Sequence, residues 1–473
     1  MRSKNWFQLR HARDYGISLN FLKFVAMIPD RIGLSLIIGL HWLIHLRFSL
    51  VLVTSLLIFK SEIMFAQHID SLVAEAVRNN PQLRSLDYQV AATQFRAQSV
   101  RSLPPPTLGL EFSQVPINEF NVWNKALSNS VSLSQMFHLG GKLKAMTMVE
   151  QQNAVIAQND REIFRLNLIG QVKMSYYQLW LIERKIELQQ HQLELLNQLQ
   201  SSLNLGYQLN RVNQADLLTL KSEIAAENLQ LITLQNQRDV EQYRLNQLLG
   251  RELESKTVYT VKALPVDSLA ITQTALQQQL AQFNPELQRM SNMLAMNQAM
   301  LKANNKEAVP DLMIGAMVMR MPRGMILTSE SDLSMLEMKT ETMYSLMASV
   351  TLPFLPWSAK KYRVKSQELA AAIKTIEYGK IEMEREMLVR LKEALVKLKT
   401  ATDQVRLYAD QVLPLYRQAA AAQVSAYQNN QANISAVIDN YRMLLMQEMN
   451  YYMAQADYQM AKAEIEMMVG AVW

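Results

Sequence analysis

Nine of the 29 methionines in this 473-residue chain fall between Met313 and Met347. Met313, Met317, Met319 and Met321 take odd positions in the stretch DLMIGAMVMRM, and Met347 lies in TMYSLMASV. A thioether is a soft, uncharged donor that suits Cu(I) or Ag(I). It is also an adaptable filler of apolar gaps, so its meaning depends on where these side chains face. Stronger chemistry is missing. The chain has no cysteine, which excludes disulfides, thiolate metal sites and an acylated N-terminal Cys. After the leader the only histidines are His68, His138 and His191, far apart in sequence. The run Gly140-Gly141-Lys142-Leu143-Lys144 lacks the earlier glycine of a phosphate loop. No nucleophile and base can be paired, so neither catalysis nor a cofactor is expected.

The methionines sit in segments of period two. Leu312, Ile314, Ala316 and Val318 alternate with them, as do Leu346, Ala348 and Val350 with Met347. An earlier stretch, TLGLEFSQV, alternates Leu108, Leu110 and Phe112 with Thr107, Gly109, Glu111 and Ser113; Val131 and Leu133 alternate again in SVSLSQMF. These patterns predict strands with one apolar face. If the apolar positions of the later strands face lipid, the five methionines face the other way.

The strands come in duplicate because the chain does. Asn80-Pro81-Gln82-Leu83 returns as Asn284-Pro285-Glu286-Leu287, and Pro106-Thr107-Leu108 as Pro310-Asp311-Leu312. Tyr207, Asn210, Asn213 and Gly250 return as Tyr427, Asn430, Asn433 and Gly470. A tandem repeat of this length builds half-proteins rather than a solenoid. The halves are expected at 67–255 and 256–473, after a leader at 1–66. In each, a helix is followed by two strands (about 107–137, then about 311–354). A long helical hairpin then follows, at about 142–250 and again at about 358–470. Gln82–Leu103 and Gln214–Leu249 together nearly equal the one long helix in length, so both could lie along it and bury a continuous seam.

Charge narrows the partners. Residues 1–66 hold eight Lys/Arg and three Asp/Glu, nearly the whole excess of 48 basic over 42 acidic residues. The rest is close to balanced, which argues against a nucleic-acid face. Within the leader, Arg47, the apolar run Phe48–Phe59 and Ala66 have the anatomy of a cleaved signal peptide.

Two isolated hairpins are marginal in water and leave open edges. Closing them into a barrel shared between copies removes every edge. The ordered, duplicated set is Asn80-Pro81-Gln82-Leu83 and its repeat, Gln135 before Gly140-Gly141-Lys142, Val350-Thr351-Leu352-Pro353-Phe354, and turns led by Tyr207 and Tyr427. In that set the chain resembles the TolC-type outer-membrane efflux family over nearly all of 68–473. The resemblance implies a mainly α fold with a small β part: a homotrimer with a twelve-stranded outer-membrane β-barrel and a long periplasmic helical barrel. It implies a passive exit duct in a Gram-negative outer membrane, contacting lipid and docking a periplasmic adaptor and an inner-membrane pump. By the same resemblance, Tyr207, Asn210, Asn213, Tyr427, Asn430 and Asn433 become adaptor-docking tips. Asp439, and Asp216 near the first tip, become gate candidates, although Asp216 also suits a helix start. Ala432 and Ala436 depart from the family's pattern at the tip. The methionines then favour a copper or silver cargo over drugs. A periplasmic coiled-coil adaptor or scaffold, which needs no lipid-compatible strands, is the rival.

Overall fold

The computed structural model describes residues 69–118, 120–255, 263–266, 272–321, 324–327, 335–338, 341–429 and 431–470. The expected leader, its cleavage after Ala66, and Asn430 lie outside the described residues.

The repeated Asn-Pro motif is a corner. Helix α1 (Ile69–Asn79) ends where α2 (Pro81–Ser99) begins, and Asn80 between them is buried. Its Oδ1 accepts from the backbone N–H groups of Gln82 and Leu83, while Pro81 takes a first-turn position that needs no N–H. Its Nδ2 donates to the Leu248 carbonyl at 3.2 Å, near the end of α4 (Gln214–Leu249). In the second half, Asn284 separates α5 (Gln273–Phe283) from α6 (Pro285–Glu307). It caps Leu287 N–H and donates to the Met468 carbonyl at 2.8 Å. Met468 lies in α9 (Ile434–Val469). Gly250 and Gly470 end these partner helices at φ 70° and 69°. A Cβ there would lie 2.8 Å from the carbonyl oxygens of Asn79 and Phe283 respectively, so the site demands glycine twice over. Each motif therefore stitches a helix corner to the C-terminus of a second helix.

Helix α3 (Lys142–Gln208) runs 67 residues, about 100 Å. Both α2 and α4 lie along it, as their summed length suggests. In the second half the corresponding long segment is broken. It consists of α7 (Pro356–Leu407), a π-helical turn at Tyr408–Val412 and α8 (Leu413–Gln428). The sequence predicts one uninterrupted helix from about Ser358 to Tyr427. Pro414 lacks an N–H and its ring crowds the carbonyl four residues back, a conflict that a locally widened helix relieves.

Two of the hydrophobic clusters pack around the helix corners. Trp180, fully buried, packs with Leu72, Leu83, Val172, Leu245 and Ala456 and meets the Tyr452 ring edge-on at 5.8 Å. The second gathers Leu276, Leu287, Leu391, Ile465 and Val469. Between α3 and α9 a buried Lys173–Glu466 ion pair lies beside Gly170, where a Cβ would run into the Met467 thioether.

The strands are β1 (Thr107–Ser113), β2 (Ser128–His138), β3 (Asp311–Met321), β4 (Gly324–Leu327), β5 (Met335–Met338) and β6 (Glu341–Val350). Strands β4 and β5 form a separate ribbon. The rest make one antiparallel sheet in the order β1-β2-β3-β6. The two hairpins expected from the sequence are thus joined through β2 and β3, leaving one edge of β1 and one of β6 unpaired among the described residues.

Candidate functional site

The register sorts the sheet into two chemistries. One face carries Leu108, Leu133, Ala316 and Leu346 in a row, then Leu110, Val131, Val318 and Tyr344 in the next. Leu108, Leu346 and Tyr344 are 67%, 79% and 81% exposed, so a broad apolar surface has nothing to cover it within the chain. Aromatic residues lie at both ends of this face. Phe112 and Trp123 stack edge-on at 4.7 Å near the hairpin loops, and Phe354 and Trp357 stand exposed where β6 passes into α7. An apolar band bounded by aromatic residues is the outer surface of a membrane barrel. Strands β2, β3 and β6, of 10–11 residues, have the length that crossing a bilayer at a tilt requires. None of the described helices is long and apolar enough to cross one.

The opposite face carries Gly109, Ser132, Met317 and Ser345; Glu111, Ser130, Met319 and Met343; and Thr107, Ser134, Gly315 and Met347. A Cβ on Gly315 would touch both Ser134 and Met347, which fixes these residues on one side. Met313, Met317, Met319, Met321 and Met347 all share this face. So do Met136, opposite Met313, and Met343, opposite Met319, which the sequence reading passed over. The same period-two rule applied to those two segments would have found them. On β3, Met313, Met317, Met319 and Met321 are half-buried, whereas Ile314, Ala316 and Val318 between them are exposed; Met136, Met343 and Met347 on the neighbouring strands are exposed.

At the far end, the two helical hairpins meet in a single apolar plug. Leu196, Leu203, Leu217 and Leu220 pack with Ile434, Val437 and Ile438, and Tyr427 rests against them. Asn213 and Asn433, expected as docking residues, are helix caps: they accept from the backbone N–H groups of Asp216 and Ala436 at 2.7 and 2.9 Å. Tyr207 and Asn210 are exposed, and Asn210 adopts φ 57° in the turn. Burial, with a smaller push from the Asp216 charge, raises the Tyr427 hydroxyl above its usual value. Asp439 is exposed but not alone. Arg442 lies 3.2 Å from it and 2.8 Å from Glu223 on α4, bridging the hairpins. Arg442 is not among the residues expected from the sequence, although its place three residues after Asp439 on a helix is a pairing spacing.

Residues 72–251 match the family described as outer membrane efflux protein. Over that stretch, within the first repeat, the chain is similar to the TolC-type outer-membrane efflux family. Its fold is similar to that of CusC, whose structures concern folding and transmembrane channel formation, with 16% identity and a TM-score of 0.70 over 85% of this chain and 92% of that one. The outer-membrane channel OprN shares 16% identity, with a TM-score of 0.68 over 86% of this chain and 90% of that one. The Vibrio cholerae outer membrane protein VceC shares 14%, with a TM-score of 0.67 over 85% and 96%. No curated protein matches the chain in sequence at a significant level.

Proposed function

We propose that this chain is a TolC-type passive outer-membrane exit duct of a tripartite efflux system and that its cargo is a soft metal cation, copper or silver. The observation that carries the duct is the sheet: one apolar face, one polar and thioether face, and an open edge on each side. Three four-stranded sheets placed edge to edge give twelve strands with no edge left. The apolar face then meets lipid and the other lines water. Helices continuing from the strands extend the path through the periplasm, built by two repeats at 67–255 and 256–473. Transport energy comes from an inner-membrane pump, reached through a periplasmic adaptor that docks at the tips around Tyr207, Asn210, Tyr427 and Asn430. Asn213 and Asn433 shape those tips. Asp439 and Asp216 gate the tunnel: three Asp439 carboxylates near one axis repel one another, and each Arg442 offsets part of that repulsion.

The methionines support the metal cargo. A wet surface gains nothing from apolar filler, yet seven thioethers stand on it. Deleting the gene in its host and measuring copper, silver and drug tolerance tests this reading. Increased silver and copper sensitivity is the expected result. Unchanged metal tolerance with lost drug tolerance would remove the metal cargo and leave the duct. A protein extracted by salt without detergent would remove the duct.

A further inference from the structure

At the helical end of the methionine face, three charged or titratable side chains come together. His138 ends β2, Asp311 opens β3 and Lys142 opens α3. His138 Nδ1 lies 3.1 Å from one Asp311 carboxylate oxygen, and Lys142 Nζ donates to the other at 2.7 Å. The backbone holds the carboxylate in place: Asp311 N–H donates to Thr351 Oγ1 at 2.7 Å, and Thr351 N–H to the Asp311 carbonyl at 3.0 Å. Lys142 already supplies the positive charge that the carboxylate needs. The His138 tautomer that donates its Nδ1 proton to Asp311 keeps a lone pair on Nε2. A carboxylate behind an imidazole in this way fixes the tautomer and orientation of a metal-ligating histidine.

The neighbouring row supplies the other donors. Met136 and Met313 stand directly opposite one another, each two residues from the His138–Asp311 pair on the same face, about 7 Å along the strands. We infer that His138 Nε2 and the thioethers of Met136 and Met313 form a site for one monovalent soft cation, Cu(I) or Ag(I), in each chain. One imidazole and two thioethers are uncharged, polarisable donors, which favour such ions over hard divalent ones. The carboxylate that His138 meets is already paired with Lys142, and no group of three His, Cys, Asp or Glu side chains among the described residues offers a site of the harder kind. The site stands where the helical tunnel passes into the sheet, so a cation leaving the helices meets it before the other methionines. Its use in export rests on the duct reading above; its existence does not.

Purified full-length protein in detergent, titrated anaerobically with Cu(I) against a chromophoric Cu(I) chelator, tests the site. The expected result is one tight site per chain, with both nitrogen and sulfur neighbours in the copper X-ray absorption spectrum. His138→Ala should weaken that site at least tenfold, as should the double variant Met136→Leu/Met313→Leu. The triple variant Met317→Leu/Met319→Leu/Met321→Leu should keep it. The double variant removes no hydrogen bond, so it reads the site even if His138→Ala does not assemble. Unchanged binding in the double variant, sulfur-only neighbours, or no tight binding would each overturn the proposal. Conductance of the same protein in planar bilayers reports on the duct separately: open channels without tight Cu(I) binding would refute the site and spare the duct.

Discussion

The two hairpins of the sheet share an outer face and differ on the inner one. Leu108, Leu110, Val131 and Leu133 in the first hairpin correspond in character to Ile314, Val318, Leu346 and Val350 in the second. Inside, the first hairpin offers Ser130 and Ser132 on β2, with Met136 nearer the helices, while the second offers Met319 and Met317 on β3 directly across from those serines. Lipid constrains the outer face equally in both halves, because any polar side chain there must leave water. Water imposes no such demand on the inner face, and serine satisfies it in one half. Methionine in the other half is therefore not required by folding. The duplication supplies its own control.

Breaking the shared face should have the largest effect. Val318→Arg puts a guanidinium into each chain's lipid surface at a cost of about 2–4 kcal/mol near the bilayer midplane. Heat-resistant oligomers should vanish from gels of outer-membrane extracts, and Leu110→Arg should do the same. The stitched corners come next. Asn80→Ala and Asn284→Ala should each lower stability by about 1–2 kcal/mol through loss of a cap, read as a lower midpoint in urea. Similar losses from the two sites would match the equivalence of the two halves. The inner face should then separate stability from function. Met317→Ser/Met319→Ser copies the first hairpin's chemistry and should leave the melting temperature within a few degrees of the parent while reducing silver tolerance in cells. Equal loss of folding would mean that the methionines are packing residues after all.

The smallest effect concerns pH. A hydrogen bond from Arg251 (2.6 Å) lowers the Glu75 carboxyl below its ordinary value, outweighing the opposite push of burial. Because the folded-state value is the lowered one, the pair stabilises fully above the ordinary carboxylate range and weakens as pH falls through the folded value. A partly exposed pair of this kind contributes about 1 kcal/mol or less. Glu75→Gln should thus lower stability slightly at pH 7 and make no difference near pH 2, as followed by thermal melts.

Much of this was legible in the residues. Strand positions followed from period two, and the corners from Asn-Pro with a matching glycine 170 or 186 residues on, at Gly250 and Gly470. The joining of the hairpins through β2 and β3 was not legible, since a pairing across some 180 residues leaves no local trace. The π turn was overlooked although Pro414 marks it. At the tips, Asn213 and Asn433 looked like exposed polar residues because capping and docking favour the same side chains. The His138–Asp311–Lys142 cluster was invisible for a different reason: its members are brought together only by the register of β2 on β3.

The absence of cysteine from the chain permits the most direct test of the two-faced sheet. Single cysteines placed in turn at positions 314–319 of β3 would be probed in intact membranes with a water-soluble, membrane-impermeant maleimide. Labelling should be strong at 315, 317 and 319 and weak at 314, 316 and 318. The reverse pattern would turn the methionines toward lipid, and uniform labelling would mean that the sheet is not in the membrane at all.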